Sequence, residues 1–224
     1  MSDEDRAFVE GLVLSREDGV LALNKPSGLP TQTRGNRGRN LDHLLWAFAR
    51  SNGKRPRLLH RLDTGTSGVV LAAETQPLAV YLSKHFETRS VAKTYLALVH
   101  WDRRENMQGV VDAPLGIKEG YPVKAIVSTR GKRALTRWHA LEVSGEAALL
   151  EITPETGRMH QIRAHLASIG IPIFGDTLYG GPDAVRLMLH ALSIEVELPG
   201  GERRVYSAPV GSDWEQALCA CGLG

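Results

Sequence analysis

The chain has 224 residues, 42% hydrophobic and 23% charged, with a formal net charge of +2. That length buries a sizeable core as one large domain or two small ones, and the proportions are those of an ordinary globular protein. They exclude a membrane-spanning run; the acidic start Met-Ser-Asp-Glu-Asp does not read as a signal peptide, and Cys219 and Cys221, too close to pair with each other, make neither a disulfide framework nor a zinc site, so a reducing, cytoplasmic compartment is expected.

In chain order, residues 12–15 and 20–24 read as strands around the turn Arg16-Glu17-Asp18-Gly19. The loop Lys25-Pro26-Ser27-Gly28-Leu29-Pro30 follows, its path fixed by Pro and Gly. Asn40 is an N-cap candidate for a helix carrying Leu41, Leu44, Leu45 and Phe48 at helical spacing, with Gly53 as its stop. The stretch His60-Arg61-Leu62-Asp63-Thr64-Gly65-Thr66-Ser67-Gly68 is a polar turn leading into a buried strand over 69–74. Thr75 or Gln76, followed by Pro77, starts a second helix running to about Thr88.

Residues 91–100 alternate as a strand and put Val91, Lys93 and Tyr95 on one face. A weak strand at 110–113, an irregular basic loop over 114–133 and a hairpin of 135–143 with 147–153 come next. Ile162, Leu166 and Ile169 make the apolar stripe of a helix stopped by Gly170, with Arg158, His160, Gln161 and Arg163 crowded at its start. A turn-rich loop over 172–181, a hairpin of 187–198 with 203–208 and a helix capped by Ser212 close the chain. Hairpin-joined strands outnumber helices, so the expected class is α+β: a mainly antiparallel mixed sheet flanked by helices. No repeat or linker marks a boundary, so a single domain over residues 1–224 is expected.

Charge is unevenly placed. Residues 34–61 carry eight Arg or Lys against Asp42, a local +7, and the rest of the chain is −5. A second basic segment runs from Lys118 to Arg137. Such concentration points to a polyanion face, with a solvated surface as the ordinary alternative. Phosphate-loop, dinucleotide, zinc-protease and serine-hydrolase patterns are all absent. What remains is one carboxylate, Asp63, among cations and hydroxyls, with a strand tyrosine and guanidinium groups elsewhere. On its own that turn reads equally as an Asx-turn with a solvated Arg61. As chemistry, the set suits metal-free, cofactor-free work on a nucleic acid.

His60-Arg61-Leu62-Asp63-x-x-Thr66-Ser67-Gly68 resembles the signature of the RluA-type pseudouridine synthases. Further blocks resemble that family in its order: Asn24-Lys25-Pro26-x-Gly28, Lys93-Thr94-Tyr95-Leu96-Ala97, Thr156-Gly157-Arg158-x-His160-Gln161-Ile162-Arg163-x-His165-Leu166, Gly170-x-Pro172-Ile173-x-Gly175-Asp176-x-x-Tyr179-Gly180, Leu189-His190-Ala191 and Ala208-Pro209. The likeness covers roughly residues 10–210.

The resemblance implies the pseudouridine synthase catalytic fold, RNA (tRNA, rRNA or both) as partner, no cofactor, no metal, no membrane and no obligate protein partner, hence a monomer. It implies an isomerase in which Asp63 is the catalytic carboxylate, attacking sugar or base or taking a sugar proton. Tyr95 packs on the target base, and Arg163 pairs with the aspartate. Arg61 contacts RNA and helps fill the place of the flipped uridine. Lys25, Arg37, Arg39, Arg55, Arg57, Arg158, His160 and Gln161 complete the expected RNA-binding set, with neither His160 nor His165 as an acid–base group and His60 structural. The short chain resembles members without a separate N-terminal RNA-binding module. An RNA-folding factor that keeps the fold without turnover is the alternative.

Overall fold

The computed structural model describes residues 1–33, 35, 38–102 and 106–224. In chain order its elements are α1 (Asp3–Glu10), β1 (Val13–Glu17), β2 (Val20–Lys25), α2 (Leu41–Leu44), β3 (Arg57–Leu58), β4 (Ser67–Ala73), α3 (Gln76–Thr88), β5 (Ala92–His100), β6 (Gln108–Asp112), β7 (Leu115–Lys118), β8 (Lys124–Val127), β9 (Leu135–Ser144), β10 (Ala147–Pro154), α4 (Gln161–Ser168), β11 (Leu189–Glu197), β12 (Arg203–Ser207) and α5 (Ser212–Ala220). The chain divides into two compact units, Met1–Ala92 with Ala191–Pro209, and Lys93–His190 with Val210–Gly224. The α+β class and its antiparallel pairings are as the sequence predicts. No described helix is long and apolar enough to cross a membrane.

In the first unit, β1 and β2 reverse at Asp18 and Gly19, which take φ of 53° and 75°, and pair antiparallel. Every residue of β4 is buried, and β4 pairs antiparallel with β2 from Val20↔Ala73 to Lys25↔Gly68. On its other side β4 neighbours β11, which carries β12. Asn40 caps α2 through its side chain, 3.0 Å from the His43 amide. The helix expected from Leu41 to the stop at Gly53 is instead one α-helical turn that tightens into a 3-10 turn over Leu45–Phe48 and ends there. So short a helix has little propagation to offset its nucleation, and the tighter turn is the usual ending. Helix α3 starts as expected, with Thr75 as cap and Pro77 in its first turn. Helix α1 had no counterpart in the sequence reading. Ser2 caps it, accepting from the Asp5 amide at 3.1 Å, and three acids in its first turn oppose the helix dipole.

Gly68 is the tightest point of this unit. Its φ is 114°, and a Cβ there would lie 2.2 Å from the Ala191 carbonyl oxygen and 2.6 Å from the Ala191 nitrogen. Both are backbone atoms, so the collision cannot be relieved by a side-chain rotation. Gly68→Ala is expected to cost about 3 kcal/mol or more, read as a lowered denaturation midpoint; an unchanged midpoint contradicts this packing.

In the second unit, β5, β10, β9 and β6 lie side by side, each pair antiparallel. Leu98, Leu150, Ile152, Leu166 and Trp214 sit in its apolar core. Gly170, at φ 81°, ends the α4 segment as expected. Residues 114–133 are not an irregular loop: β7 and β8 pair from Leu115↔Val127 to Lys118↔Lys124. Each strand is only four residues long, too short to display an alternation, which hides both in the sequence. Helix α5 begins at Ser212 with Gly211 in the cap position, one residue before the expected cap.

Candidate active site

Asp63 lies half-buried on the turn between β3 and β4. The Thr66 amide donates to the Asp63 carbonyl at 3.1 Å, closing the turn on itself. The segment 25–31 then holds the turn from outside, residue by residue. Thr31 Oγ1 donates to the Leu62 carbonyl at 2.7 Å and accepts from the Leu62 amide at 3.2 Å. The Gly28 amide donates to the Thr64 carbonyl at 2.8 Å, and Ser27 Oγ to the Gly65 carbonyl at 2.7 Å. Lys25 Nζ donates to the carbonyls of Pro26 (2.9 Å), Leu29 (2.8 Å) and Thr64 (3.2 Å). His60 accepts from the Leu71 amide at Nε2, 3.0 Å away, and stacks on Phe86 at 4.9 Å. The backbone on both sides of Asp63 is therefore fixed by bonds made within this unit. Ser27 and Thr31 were not foreseen, because neither stands out from any other loop hydroxyl.

Lys25 corrects an expectation. Its side chain is fully buried and its ammonium is spent on three carbonyls, so it builds the turn and does not meet RNA. Gln161 is corrected likewise. Its Oε1 accepts from Thr156 Oγ1 (2.5 Å) and the Arg158 amide (3.1 Å), and its Nε2 donates to the Leu135 carbonyl (2.9 Å) and Thr136 Oγ1 (3.0 Å). All its hydrogen-bonding capacity is used inside the protein.

At the start of α4 the second unit gathers Arg158, His160 and Arg163. Arg163 forks onto Asp176, Nε to Oδ2 and Nη2 to Oδ1, both at 2.7 Å, and its guanidinium lies 5.1 Å from the Tyr179 ring centroid. Asp176 is only 1% exposed, so this pair is rigid and bidentate. The sequence showed Asp176 and Tyr179 as parts of a block without giving them this task. Tyr179 Oη donates to the Ala125 carbonyl at 2.9 Å, which leaves its lone pairs to accept from His160 Nδ1 at 3.2 Å. His160 has a left-handed φ of 51°. Arg158 Nε donates to the Arg133 carbonyl at 3.1 Å. Tyr95 sits in β5 opposite Ile152, half-buried against the core of this unit.

His165 lies on the buried face of α4. Its Nε2 donates to the Ala113 carbonyl at 2.9 Å, so its Nδ1 accepts from Thr136 Oγ1 at 2.9 Å and the ring is neutral. Burial pushes its pKa below the usual 6.5, opposed by the Ala113 hydrogen bond and by Asp112. The folded ring resists a proton that the unfolded chain accepts. Stability from this residue is whole above about pH 6.5 and falls as the pH drops through the folded pKa, by at most about 1.4 kcal/mol per pH unit. Denaturation from pH 7.5 to 5 is expected to show a shallower acid loss for His165→Gln than for wild type; parallel curves contradict the neutral buried ring.

Of the remaining expected RNA contacts, Arg61 and Arg57 are exposed. Arg39 pairs with Asp5 at 2.9 Å and lies 4.2 Å from the Phe8 ring centroid. Arg55 forks onto Asp42 at 2.9 Å through each nitrogen, so its charge is already answered. Arg37 lies outside the described residues.

The family profile described as RNA pseudouridylate synthase matches residues 19–168. The chain is 36% identical over 225 residues to ribosomal large subunit pseudouridine synthase C of Vibrio cholerae, covering 95% of this chain and 70% of that protein. It is 33% identical over 207 residues to the dual-specificity RNA pseudouridine synthase RluA of Escherichia coli, covering 88% and 92%. Among solved structures, human RNA pseudouridylate synthase domain containing 4 shares the fold, with a TM-score of 0.83 at 24% identity over 99% of this chain and 98% of that one.

Proposed function

Because the chain belongs to the RNA pseudouridylate synthase family, whose named members are isomerases, we propose that it converts particular uridines of tRNA or ribosomal RNA to pseudouridine with Asp63 as the reacting carboxylate. The reaction breaks the bond from C1′ of the ribose to N1 of the base and forms one from C1′ to C5. The proton on C5 leaves and N1 gains one, so atoms balance without an oxidant or a co-substrate. A positioned carboxylate is the reactive group such chemistry requires.

One observation carries the assignment of Asp63: the chain on either side of it is held by the 25–31 loop, while the residue itself stays half-buried and not sealed. A turn anchored this closely suits a group that must meet one atom of its substrate. Tyr95 and Arg163 are assigned to the same reaction, Tyr95 as the phenol packing on the base and Arg163 as a guanidinium oriented by Asp176. Exposed Arg61 serves the RNA backbone or the gap left by the flipped base.

RNA carrying tritium at C5 of its uridines tests the reading, because the label is lost to water as C1′–C5 replaces C5–H. Wild-type protein is expected to release tritium from unmodified tRNA or ribosomal RNA transcripts in buffer alone. RNA binding without any release supports the turnover-free RNA factor instead.

A further inference from the structure

The basic run of the first unit is not uniformly available to a polyanion, and where it is available it borders a cavity. This cavity, of about 830 Å³, is lined by Trp46, Lys54, Arg57 and the start of α3 among others, and none of its lining residues belongs to the 60–68 turn. Its two carboxylates are committed. Asp42 is forked by Arg55 at 2.9 Å, and Glu74 pairs with Arg16 at 2.5 Å and with Arg50 at 3.6 Å. Among the described residues Lys54 and Arg57 make no ion pair, and both are largely exposed to solvent. Lys54 is held by its backbone: its amide donates to Asn52 Oδ1 at 3.0 Å, and its carbonyl accepts from the Arg50 amide at 2.8 Å. Gly53, at φ 74°, makes that turn possible.

Trp46 supplies the other half. The chain has four tryptophans. Trp101, Trp138 and Trp214 are 4% or less exposed, whereas Trp46 is 45% exposed, braced by the Arg55 guanidinium 5.5 Å from its ring centroid. An exposed indole offers a broad aromatic face with a polar edge, the kind of side chain enriched where a partner binds. A braced indole beside two uncommitted cations is the arrangement that stacks a base and neutralises its phosphate.

We propose that this cavity is a second RNA subsite, which takes an unpaired nucleotide of the substrate strand with its base on Trp46 and its phosphate on Lys54 and Arg57. It rests on RNA being the substrate. It separates the basic run into structural cations, Arg50 and Arg55, and binding cations, Lys54 and Arg57.

Trp46 reports on its own occupancy, because the other three indoles are buried. A short single-stranded oligouridylate, titrated into wild-type protein, is expected to quench the exposed indole, and uridine monophosphate at the same concentration is not. Equal quenching by the monophosphate overturns the strand assignment in favour of a free-nucleotide site. Trp46→Ala is expected to weaken binding of an unmodified tRNA or ribosomal RNA transcript about tenfold, while Trp46→Phe keeps the affinity and loses the quenching. Lys54→Glu with Arg57→Glu is expected to weaken binding further and to flatten its salt dependence by about 0.7 per lost phosphate contact. Undiminished affinity in Trp46→Ala and in the double variant, with melting as in wild type, overturns the subsite. Should Trp46→Ala fail to fold, Trp46→Phe and the double variant decide the question alone. Tritium release by wild type is measured in parallel. Its absence counts against the enzymatic reading, whereas the quenching and affinity results judge the subsite whether or not turnover occurs.

Discussion

Asp63→Asn is expected to abolish pseudouridine formation, by about 10⁴-fold or more in turnover, while RNA affinity stays within about threefold of wild type. The amide matches the carboxylate in size but has neither the charge nor the nucleophilicity. The turn that carries it is held by backbone bonds: the Thr66 amide on the Asp63 carbonyl, Thr31 on Leu62, Gly28 and Lys25 on Thr64. None of these uses the Asp63 side chain, so the substitution leaves the scaffold in place. Tritium release and filter binding, measured on the same RNA, separate the two effects. Retained turnover removes Asp63 from the chemistry, and a parallel loss of binding makes it a binding residue.

Lys25→Met is expected to destabilise the protein by about 3 kcal/mol or more without changing the salt dependence of RNA binding. Methionine fills much of the same volume, so little of the loss is a cavity. The loss is that of three charge-assisted hydrogen bonds, from Nζ to the carbonyls of Pro26, Leu29 and Thr64, in a place without solvent. The Thr64 carbonyl belongs to the turn that carries Asp63, so turnover is expected to fall with stability. A lysine that met phosphate would behave oppositely: its loss would leave the melting midpoint alone and flatten the salt dependence. Denaturation and a salt titration of RNA binding on one preparation tell the two roles apart.

Why these two residues were differently legible follows from what each signal contains. The apolar run expected as a strand over 20–24, the alternation over 91–100 and the cap at Thr75 match elements within a residue or two of those observed, because pattern and capping chemistry are local. Hairpin β7–β8 is not legible because four-residue strands are too short to display an alternation, and the one-turn α2 is overextended because spacing does not reveal where a helix tightens. At the site, the turn that carries Asp63 is legible through its hydroxyls and glycines, which are local turn signals. The inward course of Lys25 was not, since a lysine beside Pro and Gly looks the same in sequence whether its ammonium meets water or three carbonyls. Gln161 is a parallel case: only the positions of Leu135, Thr136 and Thr156 reveal that its amide is spent. Asp176 stood in a recognisable block, yet its fork with Arg163 joins residues from a helix and a loop, which no spacing rule links.

The most direct measurement is pseudouridine mapping of total RNA from cells that have this protein, lack it, or carry only Asp63→Asn. At least one uridine in tRNA or ribosomal RNA is expected to be modified with wild-type protein and unmodified in both other cells. A position that stays modified with Asp63→Asn, or a wild-type map identical to that of cells without the protein, contradicts it.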